Sequence, residues 1–269
     1  MTAEDGRDAP SARLNAADVL EPLFDGGDVP DDNSSLAQNL AEAHSNGQTG
    51  AFRALRWGQE QAKASLTAAA DAFDALDLTL GRSVSVPSAL LRMILENAST
   101  ASWLVDRQAS SAEKVMRSED LRYRDWQDTL DFFESAANDR ESPSAHRGLS
   151  AARSLMEEHR SSGRSHRDVP GYLRPARTQF GAEAMYRLIA GHTHGRPWAR
   201  DLAMNTWASA FGGNDDDLHG EILGTLLRAA NWLCWGALDY AEYVHPSRVV
   251  RVEEVRIHWG ALPRPNGSR

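Results

Sequence analysis

In M-Y-R-L-I-A-G-H-T-H-G-R-P-W-A, residues 185–199, two arginines and two histidines fall within ten positions. Arginine holds a phosphate bidentately through its planar guanidinium. Histidine, titrating near neutrality, removes a hydroxyl proton or protonates a leaving oxygen. Together these residue types suit cleavage of an RNA backbone. On an unbroken helix Arg187 and His194 return to within about 20° of one face, whereas Arg187 and His192 lie about 140° apart. Gly191 and Gly195 predict a weakened last turn that lets His192 swing toward Arg187. Arg196 and Arg200 would meet the approaching phosphates, and Trp198 between them offers a stacking surface for one unpaired base.

A second constellation is Arg92 with Glu96 in L-L-R-M-I-L-E-N-A. Four residues apart on a helix they share a face, and Leu91, Ile94, Leu95 and Ala98 around them predict partial burial. A buried guanidinium and carboxylate must be paired, and losing one partner costs about 3–5 kcal/mol. The plain reading is an ion pair that fixes helix packing. The functional reading is a polar pocket or core shared with Tyr186, in which Glu96 meets Arg187 or a histidine.

Metal chemistry finds little support. His192 and His194, two apart, point away from each other on a helix, and Asp215, Asp216, Asp217 and His219 downstream do not complete a recognisable ligand set. No G-x-S-x-G elbow marks a serine nucleophile. The expectation is therefore no metal and no cofactor. Trp103, Trp126, Trp207, Trp232 and Trp235 occupy helical positions, where core packing is the default. His146, His159 and His166 read as solvated.

The segment Arg187-Leu-Ile-Ala-Gly-His192, with His194 as a longer-spaced option, resembles the Arg-x4-6-His motif of the HEPN superfamily, helical proteins that include toxin ribonucleases. That resemblance implies a metal-independent endoribonuclease whose two motifs meet across a homodimer, with Arg187 and His192 as the catalytic pair and Tyr186 beside them. Leu188 departs from the polar residue that many members carry after the arginine. A broader likeness over residues 87–198 takes in R-x3-E-x6-W-L, a helix with Arg117, Arg122 and Arg124, and Y-R-L-I-A-G-H-T-H-G. It resembles all-helical proteins of actinobacteria and their phages that carry no assigned activity, and implies the fold alone; a non-catalytic helical interaction protein accessory to phage defence is the function expected beside the ribonuclease.

These residues need helices to position them. Phe52, Leu55, Ala62, Leu66, Ala69, Phe73, Leu76 and Leu80 recur at three-, four- or seven-residue intervals, one helix face that Gly81 closes. Pro87 and Ser88 open an apolar helix to Val105. The S-S-A-E at Ser110 is a capping-box pattern starting a third helix toward Asn138. A fourth spans 143–158, followed by the loop H-R-S-S-G-R-S-H-R-D-V-P-G-Y-L-R-P. A fifth follows Pro175 and ends in the histidine stretch. Asp215, Asp216 and Asp217 suit a helix N-terminus and introduce a long helix to Tyr243, which Pro246 stops. V-V-R-V-E-E-V-R-I-H-W alternates like a strand but has no partner run. The fold expected is an all-α bundle over 50–245, with a disordered acidic tail at 1–49 and a short C-terminal extension at 246–269.

Charge locates that tail. Residues 1–49 hold ten acidic residues against Arg7 and Arg13, a net of about −8 within the chain's −9. The remainder is near neutral, which excludes a global basic footprint for nucleic acid. Lys63 and Lys114 are the only lysines. Cys234, the single cysteine, sits in an apolar run and reads as an inert buried thiol. No apolar run is long enough to span a membrane and no leader opens the chain, so a soluble, cytoplasmic protein is expected, with a protein partner or a second copy as its associate and RNA under the ribonuclease reading.

Overall fold

In a computed structural model the residues described are 14–25, 27, 29–80, 85–139, 146–151, 173–178, 180–194 and 215–263, together with 153, 154, 157, 196 and 199. The helices are α1 (Ala17–Phe24), α2 (Ser35–Ser45), α3 (Thr49–Thr79), α4 (Ser85–Val105), α5 (Ser111–Asp139), α6 (Leu173–Thr178), α7 (Glu183–Thr193), α8 (Asp215–Val244) and α9 (Val249–His258), with a 3-10 turn at Pro246–Arg248. Residues 146–151 are also helical, within the fourth helix the sequence predicts. The protein is an all-α bundle, with no strand among the described residues. Gly81, Pro143, His159, His166, Trp198, Arg200 and Trp207 lie outside them, as do residues 1–13.

The apolar stripe of α3 buries Leu55, Ala62, Leu66, Ala69, Phe73 and Leu76, as its spacing predicts. It faces α4, the middle helix, which also packs against α6, α7 and α8. Close approach there depends on small residues. A Cβ added to Gly236 of α8 would lie 2.9 Å from the carbonyl oxygen of Ala98 in α4. Ser102 of α4 donates to the buried carboxylate of Asp239 across the same seam. The Ser110 hydroxyl accepts from the Glu113 amide at 3.2 Å and caps α5 as the capping-box pattern requires. Trp103, Trp232 and Trp235 are core residues. Cys234 is buried too, its thiol pushed up to about 12 by desolvation.

Three boundaries differ from expectation. The region 1–49 is not all tail, because α1 and α2 place Val19, Leu23, Leu36 and Leu40 in the same core as α3 and α8. Their apolar spacing is helical, and the surrounding acidic residues obscure it in a composition average. The valine-rich C-terminal run is the helix α9, with Val252 and the following Trp259 buried. With no strand among the described residues to pair it, packing decides its conformation over β propensity, and Trp259 stacks on Phe73 at 5.3 Å between ring centroids. The helix expected after Pro175 is two helices, α6 and α7, parted at residues 180–182 where Gly181 takes φ +60°.

Candidate functional site

Where α7 crosses α4, the side chains of both sequence constellations come together. Arg92 Nε donates to Glu96 Oε1 at 3.0 Å, the one-turn pair read from spacing, with side-chain exposures of 25% and 20%. Tyr186, one turn in from the start of α7, donates its hydroxyl to the Glu96 carboxylate. The Arg92 guanidinium lies 5.5 Å from the centroid of the Tyr186 ring. On that ring's approach from α6 is Arg177, whose guanidinium sits 3.5 Å from the centroid. Arg177 Nε also donates to Glu183 Oε2 at 3.2 Å.

Electrostatics follow from these pairings. Burial alone would lower the Arg92 guanidinium, but the hydrogen bond and charge of Glu96 hold it above its ordinary value. Tyr186 is raised by burial and by the neighbouring Glu96 charge, with Arg92 and Arg177 opposing. Burial would raise Glu183, yet hydrogen bonds from Arg187 and Arg177 bring it below the usual carboxylate range. The cluster is a chain of ion pairs from α4 through α7 to α6, three guanidiniums against two carboxylates.

The proposed catalytic residues are separated by their partners. Arg187 turns back along its own helix to Glu183, with Nε 3.1 Å from Oε1, and its side chain is 69% exposed. The His194 ring, exposed at the helix end, meets Arg92 Nη1 at 2.8 Å through Nε2. Since arginine only donates, Nε2 is the acceptor in this contact. Arg187 and His194 therefore engage different groups despite sharing a helix face. Nor does the last turn open at Gly191: the His194 amide bonds the Ala190 carbonyl at 3.0 Å, and the Arg196 amide reaches Gly191 at 2.8 Å. The intact backbone keeps positions 187 and 192 about 140° apart. That corrects the expectation of a swing toward Arg187; the His192 side chain itself lies outside the described residues. Arg196 is exposed. Among the described residues no group of three metal-ligating side chains gathers anywhere.

Local spacing did not point to Arg177 or Glu183. Their ion pair crosses the Gly181 break, so no single helical period contains it. Phe180, buried beside Trp235 in an edge-to-face contact at 5.5 Å, anchors that break and is its clearest signal in the sequence. Glu96 has a second aspect: it also borders a cleft between α3, α4 and α5.

Comparison of the chain with family models, with curated proteins and with solved structures finds no match. The class of protein is thus defined by fold and site alone, an all-α bundle with a buried-edge arginine, tyrosine and carboxylate cluster. No described helix is long and apolar enough to cross a membrane.

Proposed function

We propose that this chain is a helical interaction protein, accessory to phage defence, and that the Arg92, Glu96 and Tyr186 cluster fixes the register of α4 against α7 rather than performing chemistry. The supporting observation is that the three arginines at the crossing are matched by carboxylates, Arg92 by Glu96 and both Arg177 and Arg187 by Glu183. A guanidinium paired in this way has part of its charge already offset before a phosphate approaches. The test combines urea denaturation with incubation of labelled single-stranded RNA in EDTA, using wild type, Arg92→Ala and Arg187→Ala. The expected result is a clear stability loss for Arg92→Ala, little for Arg187→Ala, and intact RNA with all three proteins.

One observation favours a second reading as a HEPN-like, metal-independent endoribonuclease. Arg187 on α7 and His194 just past its end are both solvent-exposed and stand seven residues apart. In that reading they serve a composite site across a homodimer, His192 taking part from the partner copy and Arg196 and Arg200 holding phosphates. The same assay decides it: cleavage by wild type that Arg187→Ala, His192→Ala or His194→Ala abolishes with the fold intact would replace the scaffold reading.

A further inference from the structure

Away from the α4 and α7 crossing, α3, α4 and α5 enclose a polar cleft of about 230 Å³. Its walls follow from helical spacing. From α3 come Trp57, Gln61 and Ser65, four residues apart along one face; α4 contributes Glu96, and α5 contributes Arg124, Asp125 and Asp128. The vertex is the crossing at Gly58, where an added Cβ would clash with the Ser118 side chain. Lys114 and Ser118 of α5 are buried, and beyond them Arg124, Asp125 and Asp128 are exposed along the cleft.

The charges in this cleft do not cancel. Arg124 spends its charge on Asp128, Nε to Oδ1 at 3.4 Å. Glu96 is held by Arg92 and Tyr186 on its far side. Asp125 has no ion pair or side-chain hydrogen bond among the described residues, and neither the Trp57 indole, the Gln61 amide nor the Ser65 hydroxyl has a protein partner there. An aromatic face, an unmatched carboxylate and neutral acceptors lining one recess suit a partly shielded organic cation, since tryptophan is the strongest cation–π partner and a carboxylate the strongest acceptor for N–H donors. Anions are repelled and apolar ligands would strand these polar groups. The volume is below the roughly 300–1,000 Å³ of pockets for drug-sized ligands, which matches a group the size of one amino-acid side chain.

We propose that the cleft binds a guanidinium or alkylammonium group, with Trp57 against its face and Asp125 as counter-ion. The cation comes either from a small metabolite or from a basic side chain that a protein partner inserts. The site stands independently of the role of Arg187 and His194.

Calorimetric titration of the full-length protein at constant ionic strength tests this with three probes: agmatine, which carries both cationic groups; the peptide acetyl-Gly-Arg-Gly-amide; and N-butylurea, a neutral analogue. Saturable one-to-one binding is expected for at least one cationic probe and none for N-butylurea. Asp125→Asn, an exposed isosteric change, should weaken binding at least tenfold, and Trp57→Leu likewise, while Glu254→Gln on α9 leaves it unchanged. Tighter binding of the peptide assigns the cation to a protein partner, and binding of agmatine at least as tight assigns it to a free small molecule. Absence of saturation by both cations, equal binding of N-butylurea, or full affinity in Asp125→Asn would overturn the proposal.

Discussion

Glu183 accepts two guanidiniums on one carboxylate, and the two contribute unequally because they are buried unequally. Arg177 is 10% exposed in its side chain and lies over the Tyr186 ring, whereas Arg187 is 69% exposed. An exposed ion pair on a helix is worth about 0.3–0.5 kcal/mol, while a buried guanidinium that also stacks contributes more through both its contacts. Arg177→Ala should therefore cost about 1–3 kcal/mol and Arg187→Ala less than about 0.5 kcal/mol, read from urea denaturation midpoints at constant m. Equal losses would mean that Glu183 holds both arginines alike. The sequence singles out the other member of this pair. Arg187 is conspicuous because a histidine follows it at motif spacing, while Arg177 is distinguished only by a contact across a turn. Arg92 with Glu96 was legible for the opposite reason, being local to one helical turn.

Helices of this chain are legible where one side of a helix alone faces the core. The long helices α3, α4, α5 and α8 announce themselves by period and by caps such as Ser110. α1 and α2 are hidden by acidity, and α9 by valine alternation that fits a strand and a helix equally until packing chooses. The cleft residues Trp57, Gln61 and Ser65 went unmarked in the sequence, because nothing in one helix tells that two others leave a recess in front of it. Glycines separate these levels experimentally. Gly224 and Gly236 both lie inside α8, and in an exposed helix interior Gly→Ala gains about 0.5–1 kcal/mol. At Gly224 a Cβ would meet nothing within 4 Å, so Gly224→Ala should raise the thermal midpoint. At Gly236 it would press on the Ala98 backbone at 2.9 Å and the Leu66 side chain at 3.1 Å, and backbone cannot step aside cheaply. Gly236→Ala should lower stability by about 1–3 kcal/mol, the cost typical of overpacking, despite its better propensity. A rise for both would show that α4 and α8 are not closely seated.

At the scale of the whole molecule, the N-terminal segment is bound to the junction between α8 and α9. The Asp31 amide donates to the Val244 carbonyl at 3.0 Å, and Arg248 Nη1 donates to the Leu23 carbonyl at 2.6 Å. The Asp31 carboxylate takes the Ser247 amide at 3.0 Å and hydroxyl at 2.5 Å, and pairs with the buried His245 ring at 3.3 Å. Removing residues 1–49 should accordingly unfold the bundle. Four large apolar core residues go with it, and each such loss costs about 2–5 kcal/mol against a total stability of about 5–15 kcal/mol. Circular dichroism of the truncated chain checks this, and a cooperative melt unchanged from wild type would return the segment to the status of a tail.

The same tie sets an acid limit. Burial alone would raise Asp31, but the Ser247 hydroxyl and amide and the His245 ring together hold it below its ordinary 3.8. A carboxylate depressed in the folded state stabilises above the unfolded value, and that stabilisation is lost as pH falls from about 4 through the folded value. Asparagine keeps the shape and an acceptor but has no charge to lose. At pH 7 wild type should exceed Asp31→Asn by about 1–3 kcal/mol, the range for hydrogen bonds to a charged group. The difference should hold down to about pH 5 and close progressively as pH falls through 3.8, where the unfolded chain binds the proton, to the lower folded value, below which both states bind it. Urea titrations of both proteins from pH 7 to about pH 2.5 measure the gap directly. A gap that stays constant into acid would assign the contribution of Asp31 to shape, and one that widens would reverse the sign of the coupling between the two ends of the chain.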